Sequence, residues 1–328
     1  MKAAILSGPR SLQVSDVSVP KRPEGWSLVR TVAVGICGTD KAFYAGTYPL
    51  PKKPLVPGHE VVGIVVEGSR ELVGRTVVPE INFPCWSCGV CRLGMYTHCP
   101  HKKTLGIDFD GGMAEFFVAP EAALHVVEGL DPGIATEVEP LAALIHGLRV
   151  TPVGPEMSVA IVGTGNLAYL LYQLLTMRGA RPVIFARRGS VKGGILSFSG
   201  LRVETAEEYP KALKDTWLGL GFDVVFEVSG DPSALDFAVE IARPRGIVHL
   251  KSTPGSVGFV NLTRAVVKEV QVATSRCGDF RDFEEAIRLL RGGQVKPRIT
   301  SVFTGVESAP EAFEKSLERG QFKVVVQL

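Results

Sequence analysis

The sequence predicts a mixed α/β chain in which a β-rich unit carries an inserted, doubly wound parallel sheet. Three observations carry this reading. The first third holds short β-branched runs broken by Pro and Gly, strands alternate with helical stretches from about Ser158, and the pattern changes again near Cys277. Residues 2–6, 27–34 and 61–66 read as the early strands. Val159-Ala160-Ile161-Val162 reads as a buried strand, residues 163–165 break it, and residues 167–177 have helical length and composition. Further apolar strands fall at 183–185, 224–226 and 247–250, with a helical stretch at 232–242. Beyond Cys277, residues 280–291 read as an amphipathic helix, 299–303 as a strand, 309–317 as a helix and 323–327 as a last strand. That tail returns to the first unit. The expected division is therefore 1–144 with 277–328, including a cysteine-rich lobe at about 84–100, and an inserted 145–276.

The chain has 328 residues, 45% of them hydrophobic and 21% charged, with a formal charge of +2. Its basic residues are scattered, which argues against nucleic acid as a partner. The first residues lack the apolar core of a signal peptide, and no run reaches the roughly 18 to 20 apolar residues of a membrane span. A cytoplasmic protein is expected. Asn82, Asn166 and Asn261 are the only asparagines. So few thermolabile amides suit a thermophile, in which intracellular disulfides become a real alternative to free thiols.

The strongest chemical signal is Cys85-x-x-Cys88-x-x-Cys91 followed by Cys99. Four thiolates at this spacing can close a tetrahedral zinc site with no position left for a substrate, so its role would be structural. Two disulfides or a cluster of buried free thiols are the alternatives. A second constellation joins Gly35-Ile36-Cys37-Gly38-Thr39-Asp40 with Gly58-His59-Glu60. A lone Cys or His is more often a core residue than a ligand. Here both lie in Gly-flanked turns after strand-like runs, and Glu60 or Glu139 can add an oxygen. Three protein ligands and one open position are what a catalytic zinc needs. The third is Gly163-Thr164-Gly165-Asn166-Leu167-Ala168, a G-x-G-x-x-A turn between strand and helix. In that context it is a dinucleotide fingerprint: the glycines admit the pyrophosphate, and the helix N-terminus offers it free N–H groups. Where an NAD enzyme places an acid about 20 residues on, this chain has Arg187, Arg188 and Ser190. Paired guanidinium donors suit a 2′-phosphate, so NADP(H) is the expected cofactor.

In order along the chain, the segments GICGTD, GHE, the cysteine lobe, GGMAEFF, EVEPLAALIHG, the glycine turn and DVVFEVSG resemble the zinc-containing medium-chain dehydrogenase/reductase family, the alcohol and polyol dehydrogenases. The resemblance covers essentially the whole chain. It implies a GroES-like catalytic domain around an inserted Rossmann domain. Cys37, His59 and Glu60 match ligand positions of the catalytic zinc, and Glu139 matches a further one, so that Glu60 and Glu139 can exchange. Thr39 matches the hydroxyl that hydrogen-bonds the substrate oxygen, and Asp40 a carboxylate that orients His59, although a turn cap is its simpler role. Ala42 replaces the histidine that many members use as the outer end of a proton relay. Phe43, Tyr44 and Tyr48 either line an apolar substrate pocket or pack in the core. The implied activity is hydride transfer between NADP(H) and a secondary alcohol, ketone or polyol by a homodimer or homotetramer. A glucose (aldose) dehydrogenase, a zinc-free quinone reductase and a non-catalytic dinucleotide-binding protein are the alternatives.

Overall fold

A computed structural model describes residues 1–186 and 203–328. Contacts divide the chain into two units, Met1–Ala143 with Cys277–Leu328, and Leu144–Arg276. The first boundary falls inside the helix Val138–Val150.

The first unit begins with an antiparallel hairpin of β1 (Lys2–Gly8) and β2 (Ser11–Asp16). Its centre is β3 (Trp26–Gly35), which pairs antiparallel with β4 (Glu60–Glu67); β5 (Thr76–Pro79) extends the sheet. The short pair β6 (Asn82–Phe83) and β7 (Lys103–Thr104) brackets the cysteine lobe. β8 (Phe116–Pro120) pairs along β3, and β9 (Leu124–Val126) lies beside β5. The β-branched residues of these runs fill a core with Val29, Val34, Val61 and Val77 buried around Phe117 and Phe313. Aromatic residues after the GICGTD turn belong to it too. Phe43 and Tyr44 are buried, Tyr44 lies 5.3 Å from the Phe313 ring, and its hydroxyl donates to Glu314 at 2.6 Å. Both therefore pack in this core.

The second unit is a six-stranded parallel sheet. Its strands are β10 (Val159–Val162), β11 (Val183–Ala186), β12 (Val203–Thr205), β13 (Phe222–Glu227), β14 (Ala242–Leu250) and β15 (Gln271–Thr274). The order is β12-β11-β10-β13-β14-β15, a doubly wound sheet whose strand order reverses between β10 and β13. Every residue of β10 and β11 is buried, which is why they read as unbroken apolar runs. The edge strands β12 and β15 carry polar residues and escaped the sequence pattern. The helix Ala234–Ile241 is shorter than the predicted 232–242.

The chain after Cys277 supplies the helix Phe280–Arg291, then β16 (Ile299–Thr304), the helix Ala309–Leu317 and β17 (Lys323–Gln327). β17 pairs antiparallel with β3, so the first unit's sheet is built from two remote stretches of sequence. Among the described residues no helix is long and apolar enough to cross a membrane.

Candidate functional site

In the cysteine lobe, Sγ–Sγ distances are 3.5 Å for Cys88–Cys91, 3.6 Å for Cys85–Cys99, 3.9 Å for Cys88–Cys99 and 4.0 Å for Cys85–Cys91. A tetrahedron with zinc–sulfur bonds of about 2.3 Å has edges of roughly 3.8 Å, so the four sulfurs stand where such an ion needs them. All six cysteines are free, and these separations are far beyond a disulfide bond of about 2.05 Å. The backbone N–H groups of Cys85 and His101 each point at the Cys99 sulfur at 3.4 Å, donors that favour a thiolate. The Ser87 hydroxyl and neighbouring amides pull the Cys85 thiol down to about 5, whereas burial and the adjacent thiols push Cys91 up to about 12. Four sulfurs so close cannot all ionise without a cation among them. The donor set fits zinc.

The second constellation follows from strand register. Gly35 at the end of β3 pairs with Glu60 at the start of β4. Cys37 and His59 therefore leave adjacent ends of one antiparallel pair. Cys37 caps the helix Gly38–Ala45, and its N–H donates to Asp40 Oδ2 at 3.0 Å. Asp40 is thus a turn cap, but its other oxygen stands 3.6 Å from His59 Nδ1. Both residues are buried, and neither of these two atoms has a hydrogen-bond partner. Burial opposes protonation of His59, yet the Asp40 carboxylate and the Cys37 sulfur outweigh it and hold the imidazole well above its ordinary pKa. Burial and the Glu60 charge push the Cys37 thiol upward, while His59 draws it back. A cationic ligand would relieve both, because a metal binds the thiolate and the neutral ring. Thr39 is half-buried in the first turn of the same helix.

Glu60 has a different neighbour. Lys323 on β17 donates to its carboxylate and lies 3.7 Å from Glu137, all three being buried. Burial alone would lower the Lys323 pKa, but Glu137 and Glu60 raise it above the usual lysine value. Gly35 makes room for this pair: a Cβ there would lie 2.7 Å from Glu60 Oε2. Glu139 is buried in the first turn of the helix Val138–Val150. Among the described residues, only the four lobe cysteines bring three or more metal-binding side chains within 4.8 Å. Cys37 and His59 stand together, and Glu60 and Glu139 do not complete a set with them.

In the second unit the glycine turn sits at the carboxyl end of β10, at the reversal of strand order. Gly163 has φ +129°, and a Cβ there would crowd Ser229 N at 3.0 Å. A Cβ on Gly165 would meet nothing within 4 Å. Gly165 is the N-cap of the helix Asn166–Met177, so the positive end of that helix begins at the turn. Ala168 is fully buried, as close packing of helix on strand requires. Thr164, Asn166 and Leu167 complete the turn. Arg187, Arg188 and Ser190 lie outside the described residues.

Two family models match this chain: the alcohol dehydrogenase GroES-like domain over residues 23–129 and the zinc-binding dehydrogenase over residues 167–292. An alcohol dehydrogenase of Geobacillus stearothermophilus is 30% identical over 100% of this chain and 99% of its own length. An L-threonine 3-dehydrogenase of Pyrococcus abyssi is 32% identical over 96% and 95%. This chain belongs to the zinc-containing medium-chain dehydrogenase/reductase family. A member from Sinorhizobium meliloti 1021, solved bound to NADP, superposes with a TM-score of 0.85 at 26% identity over 100% of this chain and 99% of that one. The GroES-like and Rossmann-type folds expected of the dehydrogenase are those present.

Sequence reading missed Lys323 and Glu137. The signal was available: Phe322-Lys323-Val324-Val325-Val326 sets a lysine inside a run whose neighbours are all buried. A lysine there needs a buried partner of opposite charge.

Proposed function

We propose that this dehydrogenase moves hydride between NADP(H) and a small secondary alcohol, ketone or polyol, with one zinc ion at Cys37 and His59 and a second in the cysteine lobe. The adjacency of Cys37 and His59, with Asp40 behind the ring, carries the reading. A zinc ion bound there would supply Lewis-acid polarisation of a substrate oxygen. Asp40 faces Nδ1 of His59 and so leaves Nε2 as the donor nitrogen. Glu60, now paired with Lys323, and Glu139 are the two candidates for the third protein ligand. Thr39 accepts the substrate's hydroxyl proton and gives up its own, which leaves through the cofactor ribose to water. The turn from Gly163 to Leu167 holds the pyrophosphate, and Arg187, Arg188 and Ser190 hold the 2′-phosphate. The NADP-bound Sinorhizobium relative supports the cofactor, and the alcohol and L-threonine dehydrogenase relatives support the substrate class.

The test is a turnover panel of secondary alcohols, polyols, ketones and aldoses with both cofactors, run beside metal analysis. Two zinc ions per chain and a preference for NADP of roughly 10²-fold are expected, and Arg187→Asp should erase that preference chiefly through KM. Best turnover of an aldose would favour the glucose branch. Dinucleotide binding without turnover of any substrate would overturn the catalytic reading.

A further inference from the structure

β13 ends in a way its own sequence makes unusual. Phe222, Val224, Val225 and Phe226 are buried apolar residues, and the next, Glu227, is a carboxylate with no exposed surface. Among the described residues no cation pairs with it. Its partners are neutral donors: Oε1 accepts from the Ser229 N–H at 2.7 Å and from the Ser229 hydroxyl, and Oε2 accepts from the Ser252 hydroxyl. The Glu227 carbonyl accepts the N–H groups of Lys251 at 2.9 Å and Ser252 at 3.2 Å. One residue thereby ties the exit of β13 to the exit of β14.

The same residue reaches the glycine turn. Ser229, folded back onto Glu227, also accepts the Asp231 N–H at 3.0 Å, which tightens the β13 exit into a compact turn. That turn lies against Gly163, where Ser229 N and Cα would be 3.0 and 3.1 Å from an added Cβ. Val228 N–H donates to the Val162 carbonyl at 2.9 Å and locks the two exits side by side. A buried carboxylate costs several kcal/mol of desolvation, and a valine would pack at this strand position without that cost. A strand interior therefore gains nothing from Glu227, whereas the loops at the reversal of strand order do.

We propose that Glu227 is a positioning residue for the dinucleotide site: its carboxylate fixes the β13 and β14 exit loops against the Gly163 turn, so that the crevice is formed before the cofactor arrives. This rests on the glycine turn being the dinucleotide site. A site formed in advance binds more tightly because less ordering accompanies binding.

Glu227→Gln keeps the volume but loses the charge and half of the acceptor capacity, and Glu227→Ala loses all of it. Kd for NADPH and for NADP, measured by fluorescence and calorimetry on the full chain at 25 °C, is expected to rise roughly tenfold in the Gln variant and further in Ala. The substrate KM at saturating cofactor should stay within about twofold, a split that general loss of stability does not produce. Ser252→Ala removes one donor to the carboxylate while keeping Glu227 itself and the Ser229 donors, and should raise cofactor KM several-fold even if the Glu227 variants fail to fold. Unchanged cofactor Kd in folded Glu227→Gln, or unchanged cofactor KM in Ser252→Ala, would overturn the proposal. Absence of dinucleotide binding by the parent protein would instead sink the reading of the glycine turn itself.

Discussion

Acidification should destabilise the second unit through one histidine. His249 on β14 is fully buried, with Nδ1 2.7 Å from the Thr151 hydroxyl and Nε2 2.8 Å from the Ser275 hydroxyl. The Phe226 ring lies 5.3 Å away. Burial, with the charges of Lys251 and His146 adding to it, lowers the imidazole pKa to about 4. In the unfolded chain it returns to about 6.5. Between those values the unfolded state binds the extra proton, so stability falls as pH falls. The effect is absent above pH 6.5 and reaches about 3 kcal/mol by pH 4, from roughly 1.4 kcal/mol for each unit of pKa difference. The assay is urea unfolding from pH 7.5 to 4.5 for the parent and His249→Gln, beside a direct NMR titration of the imidazole. Acid-sensitive carboxylates are common to both proteins and cancel in the difference. Stability curves that run parallel over this range, or an imidazole titrating near 6.5, would refute the reasoning.

The other expectations are more local. Cys88→Ser should release one zinc ion per chain and lower Tm, since metal binding at a closed site couples to folding; an unchanged metal content would exclude the lobe as a zinc site. Cys37→Ser should abolish turnover while the circular dichroism spectrum and the lobe metal persist. Thr39→Val should cut kcat/KM by roughly 10² and Thr39→Ser much less, the usual scale for a positioned proton acceptor. A valine variant with parental activity would remove Thr39 from proton transfer.

Periodicity and spacing made some features legible and left others dark, for physical reasons. β10 and β11 were readable because both faces of a parallel strand are covered, so that their residues are uniformly apolar. β2 and β15 are short edge strands of mostly exposed residues, and a short window cannot separate them from loops. The lobe cysteines lie within 15 residues of one another, close enough that sequence spacing alone limits their geometry. The site around Cys37 was legible in its own turn and in GHE, because β3 and β4 are neighbours in both sequence and space. Its remaining charge was not. Lys323 comes from a strand some 260 residues away, and no local pattern reports which carboxylate a buried ammonium will meet.

The remote origin of β17 also sets an order of events during synthesis. The residues of β3, of β4 and of Glu137 leave the ribosome before any of Leu144–Arg276, and Lys323 leaves after all of it. The second unit, contiguous in sequence, can fold while the first still lacks two strands of its sheet, β16 and β17. During that interval Glu60 and Glu137 lack the Lys323 ammonium, and carboxylates buried without it oppose collapse of the β3–β4 ends. Docking of β17 supplies the neighbour of β3 and the Lys323 charge in one step. A chaperone or protease that samples the nascent chain would therefore meet an open first unit beside a finished second one, and the Cys37–His59 pair would take its final form only after β17 has docked.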